Sequence, residues 1–141
     1  MGDINLKFEA KDDRGSNLGD YEMFIDLSST AQNPTSLVLE VPDGWLVRAV
    51  KFYPVTENPN GTVTSSRDKA RDITTLKAAG RTGNFGAVFD NVELPEGFSF
   101  NSSNNTLTDN GASKGAFEYL IWIQVSGSNT NDFIDPGIRN H

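Results

Sequence analysis

The sequence predicts an all-β protein, a single-domain antiparallel β-sandwich of about seven or eight strands over residues 1–141. Short segments alternate between apolar and polar residues, and thirteen Gly with many Asn, Ser and Thr supply tight turns. Nine Phe, three Tyr and two Trp can fill a core although hydrophobic residues are only 36% of the chain. A chain of 141 residues can bury such a core without disulfides.

The first half of the chain contains four predicted strands. Residues 4–10 alternate strictly, and residues 21–27 repeat this pattern with one apolar face. A turn at residues 42–44 joins a third strand, residues 37–41, to a fourth, residues 45–53, and this arrangement predicts a hairpin. The fourth strand is apolar on both faces, which favours a central position in a sheet.

The alternation stops between residues 54 and 79, which we predict to form a long excursion across the sheet with one or two helical turns at residues 72–79. Alternation resumes over residues 85–94 and again at residues 98–100, and both stretches predict strands. Residues 101–113 are polar and indicate turns.

The strongest strand pattern begins at Phe117 and ends at Val125. Alternate positions between them are apolar, and Leu120 and Trp122 add apolar side chains to the other face. A strand that is apolar on both faces must be covered on both, so we predict a buried, central strand.

The composition excludes several classes of function. The chain has no Cys, which rules out disulfides, thiolate nucleophiles, iron–sulfur clusters and zinc–thiolate sites. Its one His is His141, so we expect no catalytic triad and no His-bearing metal site. The net charge of −7 opposes binding to nucleic acid or to an anionic membrane. We therefore expect no cofactor, no metal, and no nucleic-acid or membrane partner.

The expected location is the cytoplasm. The first residues enter a strand pattern directly, without the basic and apolar regions of a signal peptide. No apolar run is long enough to span a bilayer. The sequence leaves the oligomeric state undetermined.

Three other patterns are better explained by structure than by binding. The Gly-rich residues 80–86 lack the spacing of a phosphate-binding loop and predict a turn. The acidic and amide side chains at residues 12–17 and 129–132 lack the spacing of a calcium loop. Trp45 and Trp122 could form a sugar-binding platform, but both lie in strand patterns, which favours the core.

The Asp135–Pro136 bond offers the most specific chemistry. The Asp carboxylate can attack its own main-chain carbonyl and close a five-membered cyclic anhydride, which expels the Pro nitrogen. That nitrogen leaves readily because a tertiary amide nitrogen is more basic and is protonated more easily. A fold that holds the carboxylate against the carbonyl can contribute about 7–11 kcal/mol through orientation. Asp-Pro-Gly is also a common turn triplet, which is the competing interpretation.

A cation or hydroxyl near this bond would stabilise the developing oxyanion. Lys114 is the nearest upstream Lys and begins the strand that leads towards the bond. Tyr119 could supply a hydroxyl, but its place in the alternation favours the core. The candidate site therefore consists of Asp135 as nucleophile, Pro136 as leaving residue and Lys114 as electrostatic stabiliser.

Lys114, the long apolar strand and the closing Asp-Pro-Gly-Ile-Arg-Asn of residues 135–140 occur together in this order. In this combination the chain resembles the DP-EP family of small bacterial all-β proteins, which end in Asp-Pro-x-Ile-x-Asn after such a strand. One member is described as an aspartic peptidase that cleaves its own Asp-Pro bond. The resemblance implies a self-processing protein that acts once on its own C-terminal segment. The alternative is a non-catalytic binding or structural module, such as a sugar-binding or assembly domain.

Overall fold

A computed structural model describes residues 2–7, 21–26, 35–41, 43–90, 92–110 and 112–140. The strands are β1 Gly2–Lys7, β2 Tyr21–Asp26, β3 Thr35–Glu40, β4 Trp45–Pro54, β5 Thr56–Glu57, β6 Val63–Thr64, β7 Phe98–Asn101, β8 Thr106–Asp109, β9 Gly115–Val125 and β10 Asn131–Asn140. The helices are α1 Arg67–Ala79 and α2 Gly86–Phe89. The predicted all-β class is confirmed.

Two four-stranded sheets form the sandwich. The first has the strand order β1-β3-β8-β7 and the second the order β2-β10-β9-β4, while β5 and β6 form a separate ribbon. Antiparallel pairing prevails, as predicted. The two parallel pairs, β1 with β3 and β2 with β10, each involve an edge strand.

The main core lies between the two sheets. Its buried side chains come from the inner faces of both: Leu37, Leu39, Val47, Val50, Phe52, Phe98, Leu107, Tyr119, Ile121, Ile123, Ile134 and Ile138. The ring of Phe52 stacks on Tyr119 within its own sheet and contacts Phe98 of the other sheet, with centroids 4.8 and 4.5 Å apart. Burial of each large aliphatic side chain contributes about 1.5–3 kcal/mol, so this interior stabilises the sandwich.

Helices α1 and α2 cover the outer face of the second sheet. Successive side chains of a strand point to opposite faces, so Leu120 and Trp122 of β9 face away from the main core. A second buried cluster forms there: Tyr53, Leu76, Phe85, Val88, Phe89, Leu120 and Phe133. Strand β9 is therefore covered on both faces, which confirms the prediction for residues 117–125.

The region between β4 and β7 differs from the sequence prediction. Helix α1 begins before residue 72, because Ser66 caps it by accepting a hydrogen bond from the Lys69 amide at 3.1 Å. Residues 86–89 form α2 instead of a strand, and residues 92–94 are not in a strand either. The alternation was misleading, because the buried large side chains are Phe85, Val88 and Phe89, and this spacing is helical.

Strands β3 and β4 do not form the predicted hairpin, because they belong to different sheets. The turn between them carries the chain from one sheet to the other, with Gly44 at a φ of +88°, a conformation that favours glycine. Strand β4 is an edge strand rather than a central one. Its second apolar face is explained by the helices, which pack on it.

Candidate functional site

Asp135 and Pro136 lie in the middle of β10, an interior strand of the second sheet. On one side β9 runs antiparallel, with Gly137 opposite Glu118. On the other side β2 runs parallel, with Pro136 beside Met23. The alternative that Asp-Pro-Gly forms a turn is therefore wrong, because these residues are part of an extended strand. All three pair with β2, and the pairing with β9 is interrupted at Asp135 and Pro136 and resumes at Gly137.

A proline at this position breaks a rule of sheet construction. Pro136 is buried and has no N–H to donate to a neighbouring strand, so a proline is normally confined to sheet edges or bulges. Strand β10 stays in place because its side chains enter the core, where Ile134 and Ile138 are both 0% exposed. The fold thus holds the Asp135–Pro136 bond in buried, extended backbone at the cost of a hydrogen bond.

The Asp135 side chain meets a buried lysine of helix α1. Lys69 Nζ lies 2.6 Å from Asp135 Oδ1 and 3.1 Å from Glu118 Oε2. Glu118 belongs to β9 and faces the same side of the sheet as Asp135, since its strand neighbour Leu120 also points towards the helices. We refer to Lys69, Glu118 and Asp135 as the Lys69 cluster.

The Lys69 cluster is largely removed from water. Lys69 is 5% exposed, and the side chains of Glu118 and Asp135 are 16% and 15% exposed. Removing each ion from water costs several kcal/mol, which only close pairing can offset. Glu118 Oε1 is buried and has no hydrogen-bond partner among the described residues. The Lys69 cluster thus places two carboxyl groups beside one ammonium.

A second set of contacts fixes α1 against the sheet one turn further along. Asp72 is 7% exposed and accepts hydrogen bonds from Tyr53 Oη at 2.5 Å and from Lys51 Nζ at 2.8 Å. Burial, together with the hydrogen bond to Asp72, raises the pKa of Tyr53 well above its usual value, so the hydroxyl stays a donor. Because Asp72 and Lys69 share one face of α1, this anchor also positions Lys69.

The start of β10 is held by the loop that follows α1. Asn131 Nδ2 donates to the Gly83 carbonyl at 2.9 Å, and Asn131 Oδ1 accepts from Trp122 Nε1 at 2.9 Å. Arg81 Nη2 lies 2.9 Å from Asp132 Oδ2, and the Asp132 side chain is 0% exposed. These contacts fix the first residues of β10, the strand that carries Asp135.

The patterns that the sequence left as binding alternatives have structural roles here. Asn131 and Asp132 are engaged by the loop, whereas residues 12–17 lie outside the described part of the chain. Trp122 is half-buried, with the Arg48 guanidinium 5.7 Å from the ring centroid, and Trp45 packs against the main core. Both indoles are partly buried in these contacts, as expected of aromatic side chains at the edge of a core.

The structure does not bring Lys114 to Asp135. Lys114 is exposed and precedes Gly115, which pairs with Asn140 at the far end of β10. Asp135 lies five residues before Asn140, which corresponds to about 17 Å at about 3.3 Å per residue. Sequence reasoning missed Lys69 because it lies in a segment without alternation, and no local signal connects it to Asp135.

Tyr119 is also separate from the Lys69 cluster. It is 0% exposed and points into the core between the sheets, as its alternation predicted. Its hydroxyl has no hydrogen-bond partner among the described residues, and burial raises the pKa of Tyr119 well above its usual value. It therefore remains protonated, and it lies on the opposite face of the second sheet from the Asp135 side chain.

Other potential sites lie elsewhere or are not found in the described residues. There, no group of three or more His, Cys, Asp or Glu is arranged to hold a metal ion. Neither α1 nor α2 has the length and apolar character needed to cross a membrane. An open depression of about 300 Å³, lined in part by Arg48, Val50 and Leu94, contains no residue of the Lys69 cluster.

No protein-family model matches the chain, and no curated protein matches it. The resemblance to the DP-EP family therefore stays a prediction from the residues that carry it.

Proposed function

We propose that this chain cleaves its own Asp135–Pro136 bond, once, with Asp135 as the nucleophile. The observation that carries the proposal is the 2.6 Å contact between the buried Lys69 ammonium and Asp135 Oδ1. Burying these charges is costly, and so is placing Pro136 inside a sheet. The buried ion pair and the buried proline lie on the two sides of one peptide bond, Asp135–Pro136. Features that are unfavourable for folding concentrate at functional sites.

The reaction has two steps. An oxygen of the Asp135 carboxylate attacks the main-chain carbonyl carbon of the same residue, and the new C–O bond closes a five-membered cyclic anhydride. The bond to the Pro136 nitrogen breaks, and this nitrogen takes up a proton. Opening of the anhydride by water leaves Asp135 as a new C-terminus and Pro136 as a new N-terminus. No cofactor is required.

Lys69 takes the electrostatic role that the sequence suggested for Lys114. Its ammonium fixes the carboxylate, which turns a slow local event into an oriented one. Its positive charge also stabilises the oxyanion that develops beside it, since Coulomb interactions strengthen where water is excluded. Glu118 in turn holds Lys69 through the 3.1 Å contact.

The competing function is a non-catalytic binding or structural module, in which the Lys69 cluster only anchors α1 to the sheet. The two functions differ in a simple observable, because only the first changes the covalent structure of the purified chain. The substrate in the first case is the segment that follows Asp135, and no other partner is implied.

The test is denaturing mass spectrometry of the purified chain over days, across a series from mildly acidic to neutral pH. We expect a cut after Asp135, fastest in mild acid, because the carboxylate must be ionised and the leaving nitrogen must gain a proton. Asp135→Ala should abolish the cut, and Pro136→Ala should slow it by restoring a secondary amide.

Two controls separate this reaction from ordinary acid lability. Pro136 is the one proline of the six that follows an Asp, so cuts before other prolines would indicate a contaminating protease. The urea-unfolded chain at the same pH gives the intrinsic rate of cleavage of this bond. The folded chain should be cleaved at least about ten times faster, because each 1.4 kcal/mol by which orientation lowers the activation free energy is a factor of ten in rate. An uncut chain at every pH, or equal rates in both states, would leave the structural module as the function.

A further inference from the structure

The open depression beside β4 lies at one edge of the sandwich, where the last strands of the two sheets come together. Strand β4 ends the second sheet and β7 ends the first, and the ring centroids of Phe52 in β4 and Phe98 in β7 are 4.5 Å apart. The loop between α2 and β7 contributes Val92 and Leu94 to a further wall. The volume of about 300 Å³ is at the lower end of the range for small-molecule sites.

The interior of the depression is largely apolar. Val50 belongs to the main core and is 3% exposed, whereas Leu94 and Phe100 pack against that core and are only partly buried. Apolar surface at the margin of the core therefore stays open to water. A ligand with an apolar body would remove this surface from water, which is favourable.

Arg48 is the one charged residue among the described residues that line the depression. It lies where the register between β4 and β9 shifts, and it has no pairing partner on β9. Its guanidinium makes no ion pair or hydrogen bond with a described residue, and it contacts the Trp122 ring at 5.7 Å from the centroid. A cation–π contact at an exposed position is weak, so this side chain is free to turn towards an anion at the mouth of the depression.

We propose that the depression binds a small monocarboxylate with an apolar body, for which octanoate is a suitable probe. A planar guanidinium matches a carboxylate through two parallel hydrogen bonds, and the Ser102 hydroxyl at the rim can donate a third. A single cation in a chain of net charge −7 favours a monoanion over a more highly charged ligand. The proposal is independent of the self-cleavage, because no residue of the Lys69 cluster lines the depression.

Isothermal titration calorimetry of the full chain with octanoate tests the site. We expect saturable one-to-one binding, and hexanoate should bind about fifteenfold more weakly, because each buried CH₂ group contributes about fourfold in affinity. The probe 1-octanol has the same apolar body without the charge. It should bind at least about tenfold more weakly than octanoate, because it makes no charge-assisted hydrogen bonds with Arg48.

Three variants locate the ligand. Arg48→Gln should weaken octanoate binding at least about tenfold and leave 1-octanol binding nearly unchanged. Leu94→Ala should weaken the binding of both probes, with circular dichroism to check that the fold is retained. Arg67→Gln removes an exposed arginine at the start of α1, outside the depression, and as the matched control should change neither affinity.

The opposite results are equally clear. Absence of saturable octanoate binding, or equal octanoate affinity in Arg48→Gln and the parent, would overturn the proposal. Equal affinities of the parent for octanoate and 1-octanol would overturn the role of the carboxylate. A capped acidic hexapeptide that displaced octanoate and bound more tightly would show that the free edge of β4 receives an extended strand, and would overturn the small-molecule ligand.

Discussion

Replacing Lys69 by Met measures how strongly one buried cation organises the site. Met is unbranched and can fill the space of the Lys stem, so the change removes mainly the charge. It leaves Asp135 and Glu118, which lay 2.6 and 3.1 Å from the ammonium, without that cation and at most 16% exposed. Removing one partner of a buried ion pair costs about 3–5 kcal/mol, and we expect a loss of that size near neutral pH.

Urea unfolding followed by circular dichroism gives the magnitude. With a slope of about 1–3 kcal/mol per M for a small protein, the midpoint should fall by about 2 M. Adding Glu118→Gln to Lys69→Met should recover part of the loss, because only one carboxylate then remains beside the missing cation.

Lys77→Met is the matched control, because Lys77 lies exposed on the same helix and should change stability by no more than about 0.5 kcal/mol. If Lys69→Met behaved like this control, with an unchanged slope, the account of the Lys69 cluster as a costly, tightly paired set of buried charges would be refuted.

Three further results are expected. Tyr53→Phe should lower the free energy of unfolding by about 1–3 kcal/mol, because Asp72 loses a buried hydrogen-bond donor. Tyr119→Phe should leave it nearly unchanged, because the Tyr119 hydroxyl has no hydrogen-bond partner among the described residues. Urea unfolding of the two variants compares these effects directly. Because burial raises the pKa of both tyrosines in the folded chain, the unfolded chain gives up their protons first, so stability should be full below about pH 10 and fall above it. A stability that stays flat through this range would contradict the burial of the hydroxyls. After cleavage, the segment from Pro136 onward should stay bound under native conditions, because it pairs with β2 and β9 and buries Ile138, so native mass spectrometry should give one species where denaturing conditions give two.

The elements with regular apolar alternation could be predicted from the sequence. Strand β9 was found with its two buried faces, and β4 was found within a residue of its bounds. These strands obey local rules, since side chains on one face meet similar surfaces along their whole length. The position of β4 at a sheet edge could not be predicted, because its second apolar face is covered by a helix that lacks an apolar pattern of its own.

The candidate site was only half predictable, for a physical reason. Asp135 and Pro136 could be singled out by their bond chemistry, but the strand around them was hidden because Asp-Pro-Gly is typical of turns. Helix α1 was largely missed because two of its three buried side chains, Lys69 and Asp72, are charged. The hydrophobic periodicity that reveals a helix is therefore absent where the helix carries the site.

The place of β10 in its sheet also sets the order of events when the protein is made. The strand that carries Asp135 inserts between β2 and β9, which are both synthesised before it. Lys69 and Glu118 leave the ribosome earlier, so the ammonium has no Asp135 carboxylate to meet until residues through Asn140 have emerged and paired. The proposed reaction depends on this contact and would therefore be delayed until the second sheet has closed, while a nascent or misfolded chain would be cleaved only at the intrinsic rate of the unfolded bond.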